Sequence, residues 1–157
     1  MVFSSVLLLV ITMGVGQTLQ QQYNVYGQDV KQSIQEITTH VNEAMQSYAK
    51  AMGVKYVEGE HTLADLNLTA IESAKGPAAE KLVNPQEYQT ARDHLSTAQL
   101  MFVGLIPEIK NTYSEDIIQA QSGLLMLQNL LNYRSPYNVV EDIGFGVVLA
   151  HLDNIEK

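Results

Sequence analysis

Four histidines, His40, His61, His94 and His151, are the side chains of this 157-residue chain best suited to metal or proton chemistry. Two of them have glutamates at ligand-like spacing. Glu58-Gly59-Glu60-His61 contains the Glu-x-x-His step of di-iron bundles. Such a centre needs a second copy of the motif and further inward carboxylates, and this segment reads as a polar loop with no twin. Glu36, His40 and Glu43 follow one another at steps of four and three, so they share one helix face. That face borders the apolar stripe on its wet side, where charged groups stay solvated. His94 beside Asp93 and His151 near Asp153 stand alone in the sequence. The expectation is a chain with no catalytic residue, no metal ligand set and no cofactor. A metal-dependent helical-bundle enzyme using His40 or His61 is the weakest alternative.

Composition narrows the field further. There is no cysteine, which removes disulfides, thiolate nucleophiles, cysteine-ligated zinc and covalently attached haem together. The formal charge is −8, with only nine scattered lysines and arginines. Binding to nucleic acid needs clustered cations to neutralise phosphates, so no nucleic-acid partner is expected. Gly144-Phe145-Gly146 resembles part of a phosphate loop, but no strand precedes it and no third glycine follows. Close helix packing is the better account of these glycines. Asn67-Leu68-Thr69 is a glycosylation sequon, relevant only in a glycosylating compartment.

The elements that must carry these residues are helices. Apolar positions recur at three and four rather than alternating, and Ala, Gln, Leu, Met and Glu dominate the long segments. The first helix is predicted over about 2–52. Val30, Ile34, Ile37, Val41, Ala44, Tyr48 and Met52 form a bundle seam on its second half. Lys31, Gln35, Glu36, Thr39, Asn42 and Gln46 form the facing, solvated side. Gly53 stops this helix, 54–62 is a loop, and Thr62 caps a short helix over 63–75 that Gly76-Pro77 ends. Asn84 then caps a helix with Pro85 at its first position and Glu87 in its first turn. Its seam is Tyr88, Ala91, Leu95, Ala98, Phe102, Leu105, Ile109 and Tyr113. Pro107 should kink or split this helix near Leu105-Ile106, because proline removes a donor and crowds the preceding turn. A further helix spans about 115–133, and its apolar Gly123–Leu131 end belongs in the bundle centre or against membrane or partner. Ser135 and Pro136 are the expected cap and first residue of the last helix, which runs to about Ile155. The predicted fold is all-α: an elongated antiparallel bundle of about four helices, with a long N-terminal helix whose first part is an apolar membrane or assembly segment.

That first part divides the chain into an apolar segment, 1–22, and a helical-bundle domain, 23–157. Val6, Leu7, Leu8, Leu9, Val10, Ile11, Met13 and Val15 surround the predicted helix axis, and no charged residue precedes Asp29. A secretory signal would begin with a basic stretch, which is missing here. Residues 2–19 are just long enough for a membrane span of about 17–25 residues. The alternative is a pilin-like filament subunit, in which this uncharged helix packs against copies of itself in a polymer core. The expected partners are therefore membrane lipid or further copies through residues 2–19, and protein partners through the bundle. The chain would be membrane-associated with its bundle outside the cytoplasm, or extracellular if it polymerises.

Several short strings are similar to the LemA family. Tyr23-Asn24 follows the apolar start, and Asn84-Pro85 precedes Leu95-Ser96. Pro107-Glu108-Ile109-Lys110 resembles that family's Pro-Asp-Leu-Lys element, and Arg134 with Tyr137-Asn138 its Arg-x-x-Tyr-Asn. The family's Arg-Arg-x-Asp-Leu-Ile-Pro-Asn-Leu-Val segment is absent from the first bundle helix, and Pro136 interrupts where the family keeps a helix. The resemblance implies a membrane helix leading into an antiparallel bundle outside the cytoplasm, and no catalytic residues.

Overall fold

The computed structural model describes residues 29–56 and 81–157. The expected apolar helix over 2–19, residues 57–62 of the expected loop over 54–62, and the short helix over 63–75 lie outside the described residues. Within them the protein is an all-helical bundle, with no strand among the described residues. Its helices are α1 (Asp29–Met52), α2 (Pro85–Ile109), α3 (Ser114–Asn132), α4 (Tyr137–Ile143) and α5 (Ala150–Glu156). A π-helical segment, Gly144–Leu149, joins the last two. Gly144 (φ −60°, ψ −56°) and Leu149 (φ −67°, ψ −34°) both keep right-handed helical dihedrals, so α4, the π segment and α5 run as one helix. No helix among the described residues is long and apolar enough to cross a membrane.

The α1–α2 pair forms the heart of the bundle. Ile34, Ile37, Val41, Ala44, Tyr48 and Ala49 from α1, with Ala91, Leu95, Ala98 and Phe102 from α2, are withdrawn from water and belong to one hydrophobic core. Alanines at four of these positions, Ala44 and Ala49 on α1 and Ala91 and Ala98 on α2, let the two backbones come close. The helices run antiparallel: Ala51 O accepts from the Val83 and Asn84 N–H groups at 2.8 and 3.1 Å, while His40 meets His94 farther along. Those bonds from the start of α2 satisfy a carbonyl that the end of α1 leaves open. Gly53 at φ 72° closes α1, with Val54 N–H on Ala49 O and Gly53 N–H on Lys50 O. This is the Schellman pattern, and the positive φ is why glycine serves there. At the other end Asn84 Oδ1 accepts from the Gln86 and Glu87 N–H groups, capping α2 ahead of Pro85.

Three local expectations change. Helix α2 continues through Pro107 to Ile109 rather than splitting near Leu105-Ile106. Pro107 lies in the last turn on the exposed face, and the carbonyl it deprives belongs to solvent-exposed Val103, where water can serve it. Tyr113, expected in the α2 seam, lies beyond that helix and is the N-cap residue of α3. Ser135 is not the cap of the last helix: Pro136 takes the cap position in an extended conformation, and Ser135 is buried with its carbonyl bonded elsewhere.

Two tyrosines lock the α3–α4 turn to the α1–α2 pair. Buried Tyr48 donates its hydroxyl to Ser135 O at 2.6 Å, and Tyr88 donates to Leu131 O at 2.9 Å. The turn itself is a second Schellman closure, Ser135 N–H on Leu130 O and Arg134 N–H on Leu131 O, with Arg134 at φ 52° where glycine is usual. Arg134 has its guanidinium carbon 6.0 Å from the Tyr88 ring centre, within cation–π range, which offsets part of that backbone cost. Glycines elsewhere permit close contact. A methyl group on Gly123 would stand 2.7 Å from Val148 Cγ2, and one on Gly144 would collide with the Met45 sulfur. Gly144 is thus a packing residue against α1, and Gly146 is buried.

Two outcomes follow for stability in urea melts. Tyr48→Phe should cost about 1–3 kcal/mol, since it leaves the Ser135 carbonyl buried without its donor. Gly123→Ala should also destabilise, by about 1–3 kcal/mol, although alanine is the better helix former, because the β-branched Val148 has little freedom to move aside.

Candidate functional site

The seam that aligns α1 with α2 also brings two histidines together. His40 immediately precedes Val41, and His94 immediately precedes Leu95, so each stands at the edge of its helix's buried stripe. In the antiparallel pair these edges face each other. His40 Nδ1 lies 3.1 Å from His94 Nδ1, and the ring centres are 5.4 Å apart at an interplanar angle of 34°. Glu43, one turn from His40, places Oε2 3.0 Å from His94 Nδ1 and 3.5 Å from His40 Nδ1. Both imidazoles are 29% exposed and the glutamate side chain 45%. The three groups sit at the surface on rigid backbone, partly shielded and open to ions. Glu43 also borders a hollow of ≈ 260 Å³ with Thr39, Asn42, Gln46 and Tyr56.

This arrangement corrects the expectation for these residues. His94 is not alone, and the Glu36–His40–Glu43 face is not simply solvated: His40 and Glu43 turn towards α2, while Glu36 accepts a hydrogen bond from Gln32 at 3.0 Å on the exposed side. The signal that could have found the pair is the helix ends. Gly53 stops α1 and Asn84 starts α2, and His40 and His94 lie at similar distances along the chain from those facing ends.

His151 is also partnered. Its Nδ1 lies 2.8 Å from Asp116 Oδ1, and Asn154 Nδ2 donates to the same oxygen at 3.0 Å. An ionised carboxylate only accepts, so the proton belongs on His151 Nδ1. Asp116 stands in the first turn of α3, where a negative charge also favours the helix dipole. The cluster therefore staples the start of α3 to α5. The hydrogen bond from His151, and after it that from Asn154, holds the Asp116 carboxyl below its ordinary 3.8. In α4, burial, and then the charge of Glu141, pushes the Tyr137 phenol up.

The remaining residues singled out from sequence divide cleanly. Ile34, Ile37, Val41, Tyr48, Leu95, Phe102 and Ile109 are buried in the core, and Val30 packs half-buried against it. Val6, Leu7, Leu8, Leu9, Val10, Ile11, Met13 and Val15 lie outside the described residues, as do Glu58, His61 and the Asn67 sequon. No protein-family model, no curated protein and no solved structure matches the chain.

The Asp116 cluster sets a pH dependence. Its folded pKa is lowered, so its stabilisation is present above the unfolded value and is lost as pH falls through the folded one. Asp116→Ala should therefore lower stability by about 1 kcal/mol near neutral pH, with the gap to the unmodified protein closing as melts are repeated at progressively lower pH below about 4.

Proposed function

We propose that the chain is a membrane-anchored, non-enzymatic helical bundle that holds a protein partner outside the cytoplasm. Residues 1–22 supply the anchor, with 2–19 in lipid, and 23–157 form an elongated antiparallel bundle. The observation that carries the partner role is the outer face of the α2–α3 pair. These helices are bridged by Gln99 Nε2 donating to Leu124 O at 3.0 Å, and a groove between them is lined by Arg92, Leu95, Ser96, Gln128 and Leu131. Away from the core, α2 presents Leu100 and Val103 at 73% and 54% exposure, and α3 presents Ile118 and Leu125 at 61% and 53%. Ile118 and Leu125 are seven residues apart and so lie on one stripe. Single exposed aliphatic residues are ordinary; two on each of two neighbouring helices, at spacings of three (Leu100, Val103) and seven (Ile118, Leu125), are what supports a surface that another molecule covers. The LemA-like strings support the same arrangement.

A second reading is favoured by one feature, the absence of charge before Asp29. In it the chain is a filament subunit, and residues 2–19 pack against their own copies. The two differ in what surrounds that segment, and both leave the α2–α3 face for a protein.

Alkaline carbonate washing of membranes should leave the chain in the pellet; release of the intact chain counts against the anchor. Purified material should form discrete particles by negative-stain microscopy, whereas fibres favour the polymer. Leu100→Glu combined with Leu125→Glu should abolish cross-linking to a partner while changing stability by no more than about 0.5 kcal/mol per substitution. Unchanged cross-linking would remove this face from the account.

A further inference from the structure

We propose that His40, Glu43 and His94 form a binding site for a divalent transition-metal ion, zinc being the ion argued for, which ties α1 to α2. The inference rests on the geometry of these three side chains and is independent of the anchor and partner roles above.

The first argument is size. His40 Nδ1, His94 Nδ1 and Glu43 Oε2 form a triangle with edges of 3.1, 3.0 and 3.5 Å. Tetrahedral zinc with bonds of about 2.0–2.1 Å separates its ligands by about 3.3–3.4 Å. The triangle therefore has nearly the dimensions of one tetrahedral face, and small side-chain rotations suffice to complete it. The fourth position falls to solvent, which the partial exposure of all three groups permits.

The second argument is the balance of donors and acceptors. Three ligand atoms converge, each able to offer a lone pair. Only one proton fits between the two Nδ1 atoms, and a proton that His94 gives to Glu43 is not available to His40. With the His94 proton given to Glu43, the two Nδ1 atoms face each other at 3.1 Å with no hydrogen bond of their own between them. A cation among them satisfies all three at once.

The third argument is selectivity. Two imidazoles with one carboxylate suit zinc and its neighbours, whereas magnesium and calcium prefer all-oxygen shells. Pre-organisation favours binding as well. The ligands come from two helices whose packed seam holds their backbones in place, so little ordering remains to be done when the ion arrives.

Zinc ion alone, titrated calorimetrically into the metal-free full-length protein, should bind at one ion per chain. His40→Asn and His94→Asn should each weaken binding by more than about tenfold, and the double substitution should remove it. Zinc should raise the melting temperature of the unmodified protein and not that of the double variant, because the ion binds the folded pair. Glu43→Gln, on a half-exposed side chain with little role in folding, should weaken binding comparably and guards against loss of structure in the histidine variants. Cobalt(II) in the site should give the strong visible bands of tetrahedral coordination. His61→Ala should change nothing. The proposal is overturned if no stoichiometric zinc binds, if the double variant binds as tightly as the unmodified protein, or if His61→Ala alone abolishes binding.

Discussion

The close approach of α1 to α2 sets the rest of the bundle. Ala44 on one helix and Ala91 and Ala98 on the other are all buried, and short side chains at such positions let the backbones come together with little lateral slack. Larger groups, Tyr48 and Phe102 among them, fill the space around this contact. Because the two helices are fixed in register along their length, positions at the margins of the seam are fixed too. His40 and His94 meet for that reason, and Glu43 reaches them from the next turn.

The other helices are tied to this pair at both ends. At one end Tyr48 and Tyr88 donate to the carbonyls of Ser135 and Leu131, so the turn after α3 is bonded to side chains from α1 and α2. At the opposite end Glu156 accepts from Gln35 at 2.9 Å and pairs with Lys31 at 3.4 Å, joining the last residues of α5 to the first turns of α1. Between them, Gly123 and Gly144 allow the π segment to press against α3 and α1.

This framework separates a fixed interior from two surfaces available for chemistry. On one side stand three ligand-type atoms on α1 and α2, held by rigid backbone and open to ions. On another stand the exposed aliphatic residues Leu100, Val103, Ile118 and Leu125 of α2 and α3, which no other described residue buries. Neither surface draws on the core residues, so substitutions there can change binding without unfolding the protein.

The helical class was legible in the sequence because apolar spacing of three and four is a local property that each segment carries by itself. The stops and starts were legible for the same reason: Gly53 ends α1, and Asn84-Pro85 opens α2, through hydrogen bonds made within a few residues. The fate of Pro107 and Ser135 was not, since a proline breaks a helix or not according to whether its orphaned carbonyl can reach water, and a serine caps or is buried according to what packs above it. The site was hidden more deeply. His40 and His94 are 54 residues apart in the chain, and each alone is an ordinary edge residue. Periodicity determines which face of a helix a residue occupies, but only packing determines the register in which two faces meet.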